Sequence, residues 1–355
     1  MSYTNGLDDP SAFFQTVIYT GNATARSITF DGNSDMQPDW NWTKVRNSGT
    51  YHNLADSVRG ATKQIYSNTN DAEASATDAI TSFNSNGFSI GSNGDVNANT
   101  KNIVSWNWKA GTSFTNDASS TGIGSLDSTG SVNDTAGFSI VSYTGNTTAG
   151  ATIKHGLSTK PDVIICKARQ NSGGAIEWVV YHKGISTPQN NTLTLNTSAA
   201  KVDRTIAWND TAPTSSVFSV GTWVGTNATV PMIAYVFSEK QGYSKFGSYI
   251  GNGNASGPMI VTGFSPAWLM IKQTAASNDW FIIDNKREPF NPNNVQLVAN
   301  GTSASTNKGD LDLLSNGFKP RSSNAAWNEN NAQYIYMAFA EQPFVTSTGV
   351  PATAR

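Results

Sequence analysis

Two carboxylates in this 355-residue chain stand in a setting that could do acid–base work: Asp56 and Asp284, each followed three residues later by an arginine, Arg59 and Arg287. The matching place in a third segment holds His182, with no arginine behind it. Glycoside hydrolysis needs two carboxyl groups flanking one bond, one of them protonated. A single acid beside a base instead forms an ion pair that fixes a loop. The pairs Asp56/Arg59 and Asp284/Arg287 are therefore read as structural, and no catalytic residue is assigned. His52, His155 and His182 stand far apart, and no DxDxDG loop occurs, so neither zinc nor EF-hand calcium ligation is expected. The chain has no GxSxG elbow, and Asp310 and Asp312 stand alone. Neither a metal nor a cofactor is expected. Cys166 is the sole cysteine and lies inside the apolar run VIICKA, which excludes an intrachain disulfide and predicts a buried, inert thiol.

Recognition of a sugar is the other chemistry the residue types allow. An aromatic ring stacks on the apolar face of a pyranose while amides and carboxylates address its hydroxyls. Trp208, Trp223 and Trp327 occur in polar, loop-like surroundings (IAWNDT, GTWVGT, AAWNEN) and are the candidate carbohydrate contacts.

The elements that must position these residues come in triplicate. Tyr19 to Arg46, Tyr143 to Arg169 and Tyr249 to Lys272 each open on a Gly-Asn turn. Each then carries a proline (Pro38, Pro161, Pro266) and, six residues later, a lysine (Lys44, Lys167, Lys272). A self-similar period of this kind outranks any local reading of structure. Later in each repeat come a hydrophobic segment ending in Asn68, Asn196 or Asn300 and an aromatic strand: IVSWNWK, MIAYVFSE or YIYMAFAEQ. In the first two of these closing strands, alternate residues are large and aromatic, the period of a strand with one face in a core.

With six to eight strands per repeat joined by Gly/Asn/Ser turns, the expected fold is all-β, three tandem antiparallel β-sandwich domains of jelly-roll or concanavalin-like form, each around its own core. The boundaries are 1–109 for the first repeat with its lead-in, 136–242 for the second and 243–342 for the third. Residues 110–135, rich in Gly, Ser, Thr and Asp, read as a linker or arm in which only the part from Ile123 to Val132 could form a strand. The Ala-rich stretch from Asp71 to Thr81 reads as a loop or a turn of helix, and 343–355 as an extended tail.

Composition narrows the partners. Charged residues make up 14% of the chain and the formal net charge is -2, so no basic field is available to hold a phosphate backbone, and nucleic acid is not expected as a partner. No apolar stretch approaches the ~18 residues of a membrane span and the start MSYTNGLDDP lacks a signal-peptide pattern, so neither export nor membrane insertion is expected.

The modules YTGN…PDWNWTKVR…DSVRGATK…VSWNWKAG, then GFSIVSYTGN…PDVIICKAR…WVVYH, then GYSKFGSYIGNGN…DNKREPFNP…YIYMAFAEQPFV span nearly the whole chain. In them the sequence resembles a family of virion proteins of marine phages, of the short-tailed cyanophage and pelagiphage type, whose members are labelled tail-fibre, lectin-like or structural proteins. Asn107, Cys166 and the pair Gln273-Thr274 depart from that pattern. The resemblance implies a lectin-like sandwich inside a virus particle and carries no catalytic residues with it. The function it implies is a non-enzymatic virion protein, a tail fibre or spike facing the host. Its partners would be other virion proteins, copies of itself and a host surface glycan. A head-surface decoration protein and a carbohydrate-active hydrolase on the same fold are the alternatives.

Overall fold

In the computed structural model, which describes residues 6–351, the chain is all-β and forms several antiparallel sheets. Three of them repeat one strand order. In the first, Phe14–Thr20, Asn102–Trp108, Trp40–Val45, Asn53–Asp56 and Gly60–Tyr66 lie side by side. In the second the order is Phe138–Thr144, Pro231–Phe237, Val163–Ala168, Val179–His182 and Asn191–Thr194. In the third it is Ser244–Ile250, Gln333–Pro343, Phe264–Gln273, Phe281–Asp284 and Asn293–Val298. The closing strand of each repeat is thus inserted between its opening strand and its lysine-bearing strand. The register is shared as well: Lys44 pairs with Val104, Lys167 with Ile233 and Lys272 with Ile335.

Side chains alternate across a strand, so a strand covered on both sides needs apolar residues at successive positions. This explains the run VIICKA. Val163 and Ile165 enter one buried cluster, and Ile164, Cys166 and Ala168 enter another. The closing strand behaves alike, with Ile233, Tyr235 and Phe237 on one face and Met232, Ala234 and Val236 on the other. Smaller strand groups lie against the outer faces: Arg26–Ile28, Gly87–Ile90 and Ile80–Asn84 in the first repeat, and Ala151–Lys154 with Val217–Val220 in the second. Ile260–Val261 with Gly317–Pro320 takes this place in the third. Each outer cluster is built from one repeat, with the segment before Phe138 contributing Phe114, Leu126 and Val132 to the second.

The inner faces correct the expectation of separate cores. The largest cluster draws on all three repeats, including Trp40, Trp106 and Trp108 from the first, Trp178, Tyr235 and Phe237 from the second, and Trp268, Trp280 and Phe339 from the third. Trp108, Phe237 and Phe339 occupy matching positions. The Phe339 ring lies 5.6 Å from that of Trp108 and 5.8 Å from that of Phe237, while Trp40 stacks on Tyr235 at 4.4 Å. Alternation along a strand states that a face is buried without stating which layer buries it.

The segment 110–135 is also more ordered than a linker. Thr112–Asn116 pairs with Ser128–Asn133, which pairs with the opening strand of the second repeat, so two strands extend that sheet. A short helix, Ala118–Thr121, sits between them, capped at its N-terminus by Asp117. Within 71–81 there is no helix; Ala74–Ser75 instead forms an edge strand against Lys63 and Gln64. The described part of the tail folds back, with Val345 bridged to Pro351 and Ser347 hydrogen-bonded to Asp8, while residues 352–355 lie outside the described residues.

Candidate functional site

The repeated polar residues meet at the joints between repeats. Each lysine is buried and donates to a backbone carbonyl of the neighbouring repeat: Lys44 to Thr302 at 3.1 Å, Lys167 to Asn70 at 3.1 Å and Lys272 to Ser198 at 3.2 Å. Further carbonyls complete each cage, those of Val45, Ile176 and Gln273. Burial pushes all three ammonium groups down to about 8, against the opposing pull of Asp95 on Lys44, of Glu177 and Asp71 on Lys167, and of Asp279 on Lys272. Backbone bonds recur beside them: Glu73 N–H to Arg169 C=O, Lys201 N–H to Thr274 C=O and Ser305 N–H to Arg46 C=O, each 2.8 Å. First joins second, second joins third and third joins first. The chain is therefore a closed ring of three repeats.

Asp56 and Asp284 lie at these joints. Each accepts from its arginine, Arg59 or Arg287, and the side chains of both pairs are fully buried. Asp56 also accepts from the Tyr235 hydroxyl at 2.7 Å, and Asp284 from Trp106 Nε1 at 2.9 Å. Trp106 and Tyr235 occupy matching positions in their closing strands, and the third repeat has Met337 there. Met337 has no hydrogen to donate, and the residue of the second repeat that faces the third at this level is His182 instead of an acid. Its Nδ1 accepts from Gly184 N–H at 3.0 Å, so Nε2 carries the proton and donates to the Tyr336 carbonyl at 3.1 Å. Acid where the neighbour offers a donor, imidazole where it offers a carbonyl: this explains why the second repeat lacks the acid–arginine pair. Buried in ion pairs of different repeats, the two carboxylates do not face a common groove.

The Gly-Asn turns are locks at the outer end. A Cβ on Gly21, Gly145 or Gly251 would stand 2.0, 2.3 or 2.2 Å from the carbonyl oxygen of Ala98, Ala228 or Glu329. The following residues, Asn22, Asn146 and Asn252, donate their N–H to the side chains of Asn97, Asn227 and Asn328. The tyrosines at the head of the motif, Tyr19, Tyr143 and Tyr249, donate to the carbonyls of Val96, Thr226 and Trp327. Asn97, Asn227 and Asn328 escaped the sequence reading, although an asparagine recurs shortly before each closing strand.

Of the candidate sugar contacts, Trp208 and Trp327 are corrected. They are 1% and 0% exposed, packed against Tyr181 and Phe281 respectively, and offer no face to a ligand. A tryptophan in a polar stretch here closes the end of a sheet. Trp223 is half-buried, and its ring is covered by the guanidinium of Arg204 at 4.0 Å. Cys166 is fully buried, and burial pushes its thiol up to about 12. His155 is committed as His182 is, with Nδ1 accepting from Leu157 N–H and Nε2 facing the Thr214 carbonyl. Among the described residues, no group of three or more His, Cys, Asp and Glu could hold a metal ion, and no helix is long and apolar enough to cross a membrane.

Fold and joints together define a class of protein: an all-β body in which three homologous sheets are welded around one aromatic centre. The chain belongs to the family described as a domain of unknown function, DUF7483, whose model matches residues 9–343. That match runs through all three repeats. No curated protein and no solved structure matches the chain.

Proposed function

We propose that the protein is a non-enzymatic structural component of a virus particle, a tail fibre or spike facing the host and able to hold carbohydrate. The observation that carries this reading is the closed ring of joints. The side chains that recur across the repeats, lysine, acid or imidazole, and asparagine, all bind one part of the chain to another, which is the signature of a rigid building block. We read the body as three tandem antiparallel β-sandwich units, each layered on its own outer core, that share the aromatic centre. Such a block presents three similar faces from one chain, a form suited to repeated copies in a symmetric assembly. Its partners would be other particle proteins and copies of itself, and its place the virion, assembled in the host cytoplasm.

The test is mass spectrometry of purified particles, in which the protein is expected in stoichiometric amount; its absence from them ends the proposal. The three similar faces suit a seat on the head surface as well as on the tail, and cryo-microscopy of intact particles separates these two places.

A further inference from the structure

The third repeat carries an open cleft of about 540 Å³, bordered by Gln273, Asn278, Asp279, Gln296, Phe281 and Glu329. The other two repeats act as internal controls for what this place normally holds. In the first, Gln64 matches Gln296. Its carboxamide oxygen accepts from Asn53 at 2.6 Å and its nitrogen donates to the Tyr66 hydroxyl at 2.8 Å, which in turn bonds Asp95. The third repeat has Phe281, Val298 and Ala326 at those three positions. Gln296 has therefore lost both of its partners. It is 6% exposed, it lines the cleft, and its carboxamide oxygen has no hydrogen-bond partner.

The rim changes in the opposite direction, from apolar to polar. Gln273, Asn278 and Glu329 correspond to Ala168, Ile176 and Ala228 in the second repeat, all members of its buried apolar cluster. In the first repeat they correspond to Val45, Thr50 and Ala98. The polar rim is also already built. Gln273 Nε2 donates to Glu329, Asn278 Nδ2 donates to Gln273 at 3.2 Å and to the Ala325 carbonyl at 2.8 Å, and Asn300 donates to Asp279 at 2.7 Å. A rim that has exchanged apolar side chains for the pre-positioned Gln273, Asn278 and Glu329, beside a buried amide without its partners, has the makings of a ligand pocket.

We infer that this cleft is a subsite for a neutral, hexose-sized sugar. Amides and carboxylates at its rim match vicinal hydroxyls, and Val298, Ala304 and Ala325 on the lining give a small apolar border for the face of a pyranose, while Phe281 is buried against Trp327. The carboxylates of Asp279 and Glu329 outnumber the ammonium of Lys308 along the lining and disfavour phosphorylated or sulfated ligands. The inference rests on the host-facing reading above and assigns its carbohydrate contact to a place that none of the three tryptophans supplies.

Saturation-transfer NMR on the full chain tests it, with free glucose, galactose, mannose and N-acetylglucosamine as probes at about 10 mM, above the millimolar Kd expected of so small a ligand. At least one sugar should show transfer, and Gln296→Leu should weaken binding at least ten-fold while the urea midpoint stays level or rises. Asn278→Ile, which installs the residue of the second repeat, should do the same and serves if the first variant folds poorly. The subsite is overturned if no probe shows transfer, or if both variants bind as the parent does. Failure here with the protein present in particles removes only the subsite; absence from particles removes the structural role and leaves any sugar binding measured.

Discussion

At the residue scale, the buried histidines show how far the chain commits its polar groups. In His155 and His182 one ring nitrogen accepts from a backbone N–H and the other faces a carbonyl, so a second proton would have no acceptor. Burial pushes both down to about 4. Between that value and the ordinary value near 6.5 the unfolded chain takes up a proton that the folded chain refuses, so stability present above pH 6.5 is lost as the pH falls toward 4. For one histidine the loss approaches ~3 kcal/mol at the lower end, from ~1.4 kcal/mol per unit. His182→Gln keeps a donor and an acceptor but cannot titrate. Urea midpoints of parent and variant should run parallel above pH 7 and diverge below pH 6.5, with the parent falling faster; parallel curves down to pH 4.5 would count against the assignment. The acid–arginine pairs follow from the same economy. Their spacing was legible in the sequence as structural, but their partners Tyr235 and Trp106 were not, because each lies in another repeat.

At the scale of elements, the Gly-Asn turn is a docking device that fixes where each opening strand meets the segment before its closing strand. Gly145 cannot accept a Cβ without displacing the backbone of Asn227 and Ala228, at 2.5 and 2.3 Å. Gly145→Ala is expected to lower stability by about 1–3 kcal/mol, the range for overpacking against rigid neighbours. Gly94→Ala, where a Cβ meets nothing within 4 Å, should stay within about 0.5 kcal/mol. Equal effects in thermal unfolding would refute the docking role. The turn itself was legible from GlyAsn after an aromatic strand, and so were the lysine strands and the aromatic closing strands. The strand at 128–133 falls within the part of 110–135 that could form one, but the strand at 112–116 was hidden, because its small polar residues lack the apolar alternation that marks a strand; both form by pairing onto an edge that exists only once the second repeat has folded.

At the scale of the molecule, the shared centre ties the repeats into one thermodynamic unit. Each main sheet has an inner face that no residue of its own repeat covers fully, and the cluster including Trp108, Phe237 and Phe339 is complete only with all three. Chemical unfolding followed by tryptophan fluorescence and by far-UV circular dichroism should give coincident single transitions. Residues 136–242 expressed alone should fail to give a folded monomer, since the face carrying Ile165, Trp178, Tyr235 and Phe237 would be bare. Three resolved transitions, or a folded single repeat, would show that the repeats are independent after all.

The sequence by itself determined what is local or periodic: three copies of one run of strand and turn motifs, an all-β chain, a buried thiol, and acid–arginine pairs that hold loops. Those are consequences of side-chain alternation, turn chemistry and short-range spacing, which a linear string records in full. Only the tertiary structure decided that the lysines reach into the neighbouring repeat, that Trp208 and Trp327 are interior, that the three inner faces meet, and that Gln273, Asn278 and Glu329 come together on one cleft of the third repeat. Each of these depends on which surface covers which, and that is settled by contacts between residues far apart in the chain.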